Sequence, residues 1–213
     1  MSEVSIYLPG ILFAYGAFLL GIASPGPNVL AVIGTSMSVG RLPAMALALG
    51  IATGSLCWAS ATVFGLSALR STYAMALTAI KIGGGLYLIY LAFKSFRSAL
   101  SSHDIEAREL SGGRCTTWGY WVRGLTIQLT NPKAALTWIA IISLGITNDT
   151  PGCVALVIVA GTSFLSIVIH LLYAIAFSTQ TMVKLYSKSR RSIQAALGTF
   201  FAFAGIRLLV SQN

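Results

Sequence analysis

Six long apolar stretches follow one another along the chain, at about Ile6–Ser36, Pro43–Leu69, Tyr73–Phe93, Trp118–Gly145, Gly152–Phe177 and Ile193–Val210. A helix needs roughly 20 mostly apolar residues to cross about 30 Å of hydrocarbon, and each stretch meets or approaches that length. Composition points the same way. The 213 residues are 56% hydrophobic and 9% charged, against about a quarter charged in soluble domains. The runs continue from end to end, which predicts an all-α integral membrane protein with one membrane domain, residues 1–213, and six transmembrane helices.

The gaps between the runs carry turn chemistry and charge. Gly40-Arg41-Leu42-Pro43 and Asn148-Asp149-Thr150-Pro151 each end one span and start the next. Pro43 falls near the first helical position, where its missing N–H costs nothing. Lys94 to Thr117 is the long polar connection. A net charge of +9 can signal a nucleic-acid partner, but here the basic residues sit in the gaps, so they orient a membrane protein instead. One side would hold Arg41, then Lys94, Arg97, Arg108, Arg114 and Arg123, then Lys184, Lys188, Arg190 and Arg191. The other would hold Arg70 and Arg207. The positive-inside rule therefore predicts both termini outside. Gly21 to Ser24 could pass for a signal-peptide cleavage site, but the only charge before residue 40 is Glu3, so the first run reads as an uncleaved span.

The two halves share a faint pattern. Gly85 is followed by Tyr87, Tyr90, Lys94 and Ser98, and Gly198 at the same offsets by Phe200, Phe203, Arg207 and Ser211. The second and fifth spans open on Pro43 and Pro151 and each reaches a glycine about three turns later, Gly54 and Gly161. Three spans per half force the second half to be inverted. The expectation is two inverted three-helix repeats, about 1–95 and about 118–213, joined by a cytoplasmic loop at about 96–117. Ala44, Ala48, Gly50 and Gly54, with Gly83, Gly84 and Gly85, supply small residues for close helix packing.

Two of the spans are interrupted near their middle. Pro25, Gly26 and Pro27 cannot lie in an unbroken helix, since an interior proline costs roughly 3 kcal/mol or more. The fourth span carries Gln128-Leu129-Thr130-Asn131-Pro132-Lys133. A break frees amide donors at one half-helix and carbonyls at the other. The donors favour anions and the carbonyls favour cations, so a pair of breaks suits a zwitterion. The candidate substrate site is thus Ser24, Pro25, Gly26, Pro27 and Asn28 with Thr130, Asn131, Pro132 and Lys133. A carboxylate would meet half-helix N-termini or Lys133, and an ammonium would meet freed carbonyls, Asn28 and Asn131. The competing readings are a kink shaped for packing and a Lys133 that snorkels to the interface. Lys81 sits nearer an outer end and reads as a snorkelling residue.

His170 lies inside the fifth span, either as an interhelical hydrogen-bonding group or as a proton shuttle. The acids Glu3, Asp104, Glu106, Glu109 and Asp149 all fall outside the spans. A cationic substrate would want a buried counter-charge, so a neutral amino acid fits better. Proton coupling would have to use His170, a lysine, water or the substrate itself. Cys57, Cys115 and Cys153 suggest neither a disulfide framework nor a metal site. No cofactor or metal is expected. The rival classes are a membrane thiol-redox protein using Cys57 and Cys153, and a non-transporting scaffold.

Several segments together carry a family resemblance. "SPGPNVL" in the first span, "GR" and "ALGIATGS" leading into and through the second, "KIGGGLYLIYLAFKSFRS" in the third and "RGLTIQLTNPKAAL" at the fourth resemble the LysE/RhtB family of amino-acid exporters. The resemblance runs along essentially the whole chain. It implies a six-span, multi-pass transporter of the bacterial cytoplasmic (inner) membrane, with an amino-acid substrate and the lipid bilayer as partners. It further implies export of amino acids such as homoserine, threonine, leucine or their analogues, driven by the proton gradient. On the motifs, Pro25, Gly26, Pro27 and Asn28 correspond to the first-span signature, and Asn131, Pro132 and Lys133 to the fourth. His170 falls in none of these motifs, and homo-oligomerisation is left open.

Overall fold

Backbone amides in runs this apolar find no water to bond, and helices satisfy them locally. The computed structural model describes residues 3–23, 26–72, 74–101, 115–145 and 151–210; side chains of 3–5, 66–72, 74–78, 80–81 and 142–145 lie outside that description. The side chains of Lys81 and of all five acids therefore fall outside it. The described residues form α1 (Glu3–Ala23), α2 (Pro27–Ser38), α3 (Arg41–Thr72), α4 (Ala74–Leu100), α5 (Thr117–Thr130), α6 (Pro132–Gly145), α7 (Gly152–Ala176) and α8 (Gln180–Val210).

Local chemistry places the ends. Pro27 and Pro132 are the first residues of α2 and α6, where a missing N–H is harmless. Pro43 lies in the first turn of α3 for the same reason. The Thr116 hydroxyl accepts the Gly119 N–H at 3.2 Å and caps α5. After α2 the chain reverses at Gly40, whose φ of 122° is a region that side-chain-bearing residues rarely adopt.

Both interruptions read from the sequence are breaks in the fold. At 1.5 Å per residue, the 12 residues of α2 and the 14 each of α5 and α6 span only about 18–21 Å, too short to cross a bilayer alone. Among the described residues, four stretches are long and apolar enough by themselves: Ile6–Ala23, Arg41–Gly65, Gly152–Ala176 and Gln180–Val210. The last helix begins well before the apolar run at Ile193. Hydropathy drops at Lys184, Lys188, Arg190 and Arg191, but the backbone ladder needs no apolar side chain. Arg190, Gln194, Leu197, Phe201, Ala204 and Leu208 continue one buried stripe at helical spacing.

Polarity is inverted relative to a water-soluble bundle. Phe64, Leu156 and Phe164 are exposed, whereas Ser55, Thr162, Ser166, His170 and Gln194 are buried. A lipid solvent accounts for that arrangement and water does not.

Contacts fix the helix directions. Gly50 lies against Trp121 and Leu125, and Gly54 against Gln128, so α3 and α5 run parallel. Gly85 lies against Leu209 and Gly198 against Phe96, so α4 and α8 run antiparallel. The Tyr15 hydroxyl donates to the Val157 carbonyl and the Ser36 hydroxyl to the Ala174 carbonyl, both at 2.6 Å, which sets the α1–α2 unit parallel to α7. Leu47 and Ala48 share a cluster with Ala174, and Ala59 shares one with Val154 and Ile158, so α3 opposes α7.

The α3–α5 contact is the closest. A Cβ on Gly50 would strike the Trp121 carbonyl, and one on Gly124 would strike the Leu47 carbonyl. The two backbones meet through reciprocal notches, which is how helices without a hydrophobic driving force between them gain contact. Gly50→Ala and Gly124→Ala should each cost about 1–3 kcal/mol by overpacking against backbone that cannot retreat. Gly83→Ala, where nothing lies within 4 Å, is the control. Thermal unfolding of the detergent-purified protein should be lowered by both notch variants and unchanged by the control.

Candidate functional site: the paired helix breaks

The two breaks meet. Asn131, between α5 and α6, donates through Nδ2 to Asn28 Oδ1 at 3.2 Å. Asn28, in the first turn of α2, donates through its own Nδ2 to Gln128 Oε1. Gln128 donates through Nε2 to the Ser55 hydroxyl of α3 at 2.7 Å. Its backbone carbonyl, close to the end of α5, accepts the Trp58 indole N–H at 3.1 Å. Four elements are thus tied by one chain of amides. Gln128 is 3% and Asn131 8% exposed, so each bond replaces water that the site excludes.

The two half-helix N-termini differ. At α6 the break closes on itself: Asn131 Oδ1 accepts the Lys133 N–H at 3.0 Å, and the Asn131 carbonyl accepts the N–H groups of Ala134 and Ala135. At α2 the N-cap is Gly26, extended, with no side-chain cap. Among the described residues no side chain caps α2, so its end presents amide donors and the positive end of the helix dipole.

A cavity of about 60 Å³ lies against this cluster, lined by Gly26, Asn28, Val29, Ser55, Gln128, Asn131, Lys133 and His170. Phe18, Ile22, Trp138 and Ile141 form its apolar wall. A second cavity of about 320 Å³ opens between the same breaks and helices α4 and α8, and Gly26, Asn131 and Lys133 line both. His170 is 3% exposed, and its Nδ1 lies 2.8 Å from the Ser166 carbonyl. A carbonyl only accepts, so Nδ1 carries the proton and Nε2 of the neutral ring is an acceptor. Among the residues lining the small cavity, Lys133 and His170 are the ones with basic side chains.

Of the residues singled out in the sequence, Gly26, Asn28, Asn131, Lys133 and His170 line the small cavity, while Pro27 and Pro132 line the larger one. Thr130 is exposed and bonds the Thr126 carbonyl at 2.7 Å, away from both. Ser24 and Pro25 lie outside the described residues. Gln128, Ser55, Trp58 and Trp138 were missed as site residues. The available signal was a buried-type glutamine in an apolar run, three residues before the break. The three cysteines are free, with Cys57 and Cys153 exposed, and the described residues hold no metal-ligating cluster.

The sequence matches the model of the LysE type translocator family over residues 19–212. It is 29% identical over 199 residues to the threonine efflux protein of Escherichia coli (strain K12), covering 91% of this chain and 94% of that one. The threonine efflux protein of Salmonella typhi is also 29% identical, with the same coverage. The uncharacterized membrane protein YahN of Escherichia coli (strain K12) is 27% identical over 211 residues, 98% of this chain and 93% of that one. No solved structure matches. With broken apolar helices meeting at a polar cluster and a family match over nearly its whole length, the chain belongs to the LysE type translocator family.

Proposed function

We propose that the protein exports small neutral amino acids of the threonine, homoserine and leucine type across the bacterial inner membrane, by alternating access between two inverted three-helix repeats. The observation that carries this reading is the Asn131–Asn28 hydrogen bond, which joins two mid-span breaks beside an uncapped helix N-terminus and a lysine. Relatives named for threonine efflux supply the substrate class.

In this reading α1 with α2 and α5 with α6 are the two broken spans, and α3, α4, α7 and α8 complete six. The helix directions suit it. Exchanging the halves pairs α3 with α7 and α4 with α8, and both pairs pack antiparallel. The same exchange turns the α3–α5 contact into α7–α1; Gly54 receives Gln128 in the first, and Gly161 receives Tyr15 in the second. Midplane sites built on discontinuous helices at a repeat interface are the common plan of secondary transporters. The substrate carboxylate binds the open α2 N-terminus and Lys133, and its ammonium meets Gln128 and Asn28 carbonyl oxygens. His170 Nε2 takes up the coupled proton.

Three measurements test this. Labelled threonine, homoserine and leucine are loaded into cells, and efflux is compared at equal membrane levels. Asn28→Ala and Asn131→Ala should each slow efflux at least tenfold, the loss expected for about 1.4 kcal/mol or more from a buried polar site. Wild-type efflux in both variants would overturn the site. His170→Gln should retain amino-acid exchange across proteoliposome membranes and lose uptake driven by an imposed pH gradient. Retention of that driven uptake would remove His170 from coupling. For orientation, alkaline phosphatase fused after Val210 should be active and the same enzyme fused after Leu100 inactive. The reverse pattern would invert the topology.

A further inference from the structure

The small cavity at the breaks is too small for the molecule the function requires. Its 60 Å³ holds a few waters at about 15 Å³ each. Pockets that enclose a small organic molecule start at about 300 Å³. The neighbouring cavity, at about 320 Å³, reaches that size and shares Gly26, Asn131 and Lys133 with the small one.

Its other walls include polar side chains from α4 and α8. Gln194, from α8, is 3% exposed, and Ser95, from α4, is 4% exposed. Neither makes a hydrogen bond among the described residues. Both side chains line the cavity, so their unused donors and acceptors are available to a polar ligand there. Lys94, one turn before Ser98 on α4, adds an ammonium with no hydrogen bond or ion pair among the described residues. It lies within electrostatic reach of Lys133, and both line the cavity. An anion entering that space is attracted by both ammonium groups. The Ser98 and Ser101 carbonyls at the end of α4 are already engaged, since Arg190 donates to them at 2.9 and 2.7 Å.

We propose that this cavity is a second, inner substrate station, in which Lys94 holds the amino-acid carboxylate and the Gln194 carbonyl oxygen with the Ser95 hydroxyl receives the ammonium. The inference rests on the export reading above and deepens it. Lys133 lines both cavities, so the carboxylate passes from Lys94 to Lys133 and then to the α2 N-terminus without leaving cationic partners. The station is loaded in the conformation described here. The small cavity must widen as the repeats rock before it takes the whole substrate.

The test uses the full-length protein in proteoliposomes, with labelled threonine presented to the side on which Lys94 lies. Lys94→Gln and Gln194→Leu should each raise the half-saturating threonine concentration about tenfold, the cost of one charge-assisted or buried hydrogen bond. The maximal rate should stay within about twofold of the wild type, because the breaks themselves are untouched. Lys94→Arg should restore the wild-type half-saturation, which separates a carboxylate contact from a merely structural role. Half-saturation unchanged in both variants overturns the station while leaving export standing. A loss of maximal rate alone, with half-saturation unchanged, also overturns it. Absence of transport of threonine, homoserine and leucine by the wild type would overturn the export reading, and the station with it.

Discussion

A helix broken inside hydrocarbon leaves donors and carbonyls that water cannot reach, and the rest of this fold depends on how that is answered. At the fourth span Asn131 and Trp58 meet the freed backbone groups, and the chain Asn131–Asn28–Gln128–Ser55 joins the two breaks through side chains from both halves. Each amide supplies donors and acceptors together, so it can repair either end of a broken helix. Because the partners come from opposite halves, the side chains beside the two breaks are joined to each other. That link holds the two interruptions together, and it needs the flanking helices to approach closely. The glycine notches of α3 and α5 permit that approach and carry Ser55 and Trp58 to Gln128.

Repair is incomplete at one place. Asn131 caps α6 with both its side chain and its carbonyl, but Gly26 has no side chain with which to cap α2. The two signatures, outwardly alike in proline content, thus play different parts. The fourth-span break is a closed structural joint, and at the first-span break no side chain among the described residues caps α2. An anion stabilised at a helix terminus is worth up to about 2 kcal/mol in a partly buried setting. That is enough to hold a carboxylate transiently, which suits a carrier that must also let go.

Much of this was legible in the sequence. The prolines at 25, 27 and 132 marked both breaks, since no interior helix position tolerates such a cluster. Asn28, Asn131 and Lys133 stood out as strongly polar residues in apolar runs, and the geometry puts them beside one cavity. Partner identities were not legible. Ser55 and Trp58 look like ordinary small and aromatic members of a helix until α5 is laid beside α3. Gln128 was visible as polar, but its role depends on meeting Asn28, exactly one hundred residues distant in sequence. Hydropathy misplaced the start of α8 because a charged helical turn and a charged loop look the same to it. Gln194 was hidden for that reason: at the edge of an apolar run it reads as an interface residue rather than as a buried one facing a cavity.

The central claim is that the space beside the two joined breaks takes an amino acid. Ser55→Cys places a thiol on its wall, and native Cys57, exposed on the same helix, is the internal control. With Cys115 and Cys153 replaced by serine, the rate of alkylation at each position is measured with and without saturating threonine, homoserine or leucine. The account predicts that at least one of these slows modification at position 55 and leaves Cys57 unaffected. Equal rates at position 55 with and without every amino acid the protein exports would contradict it.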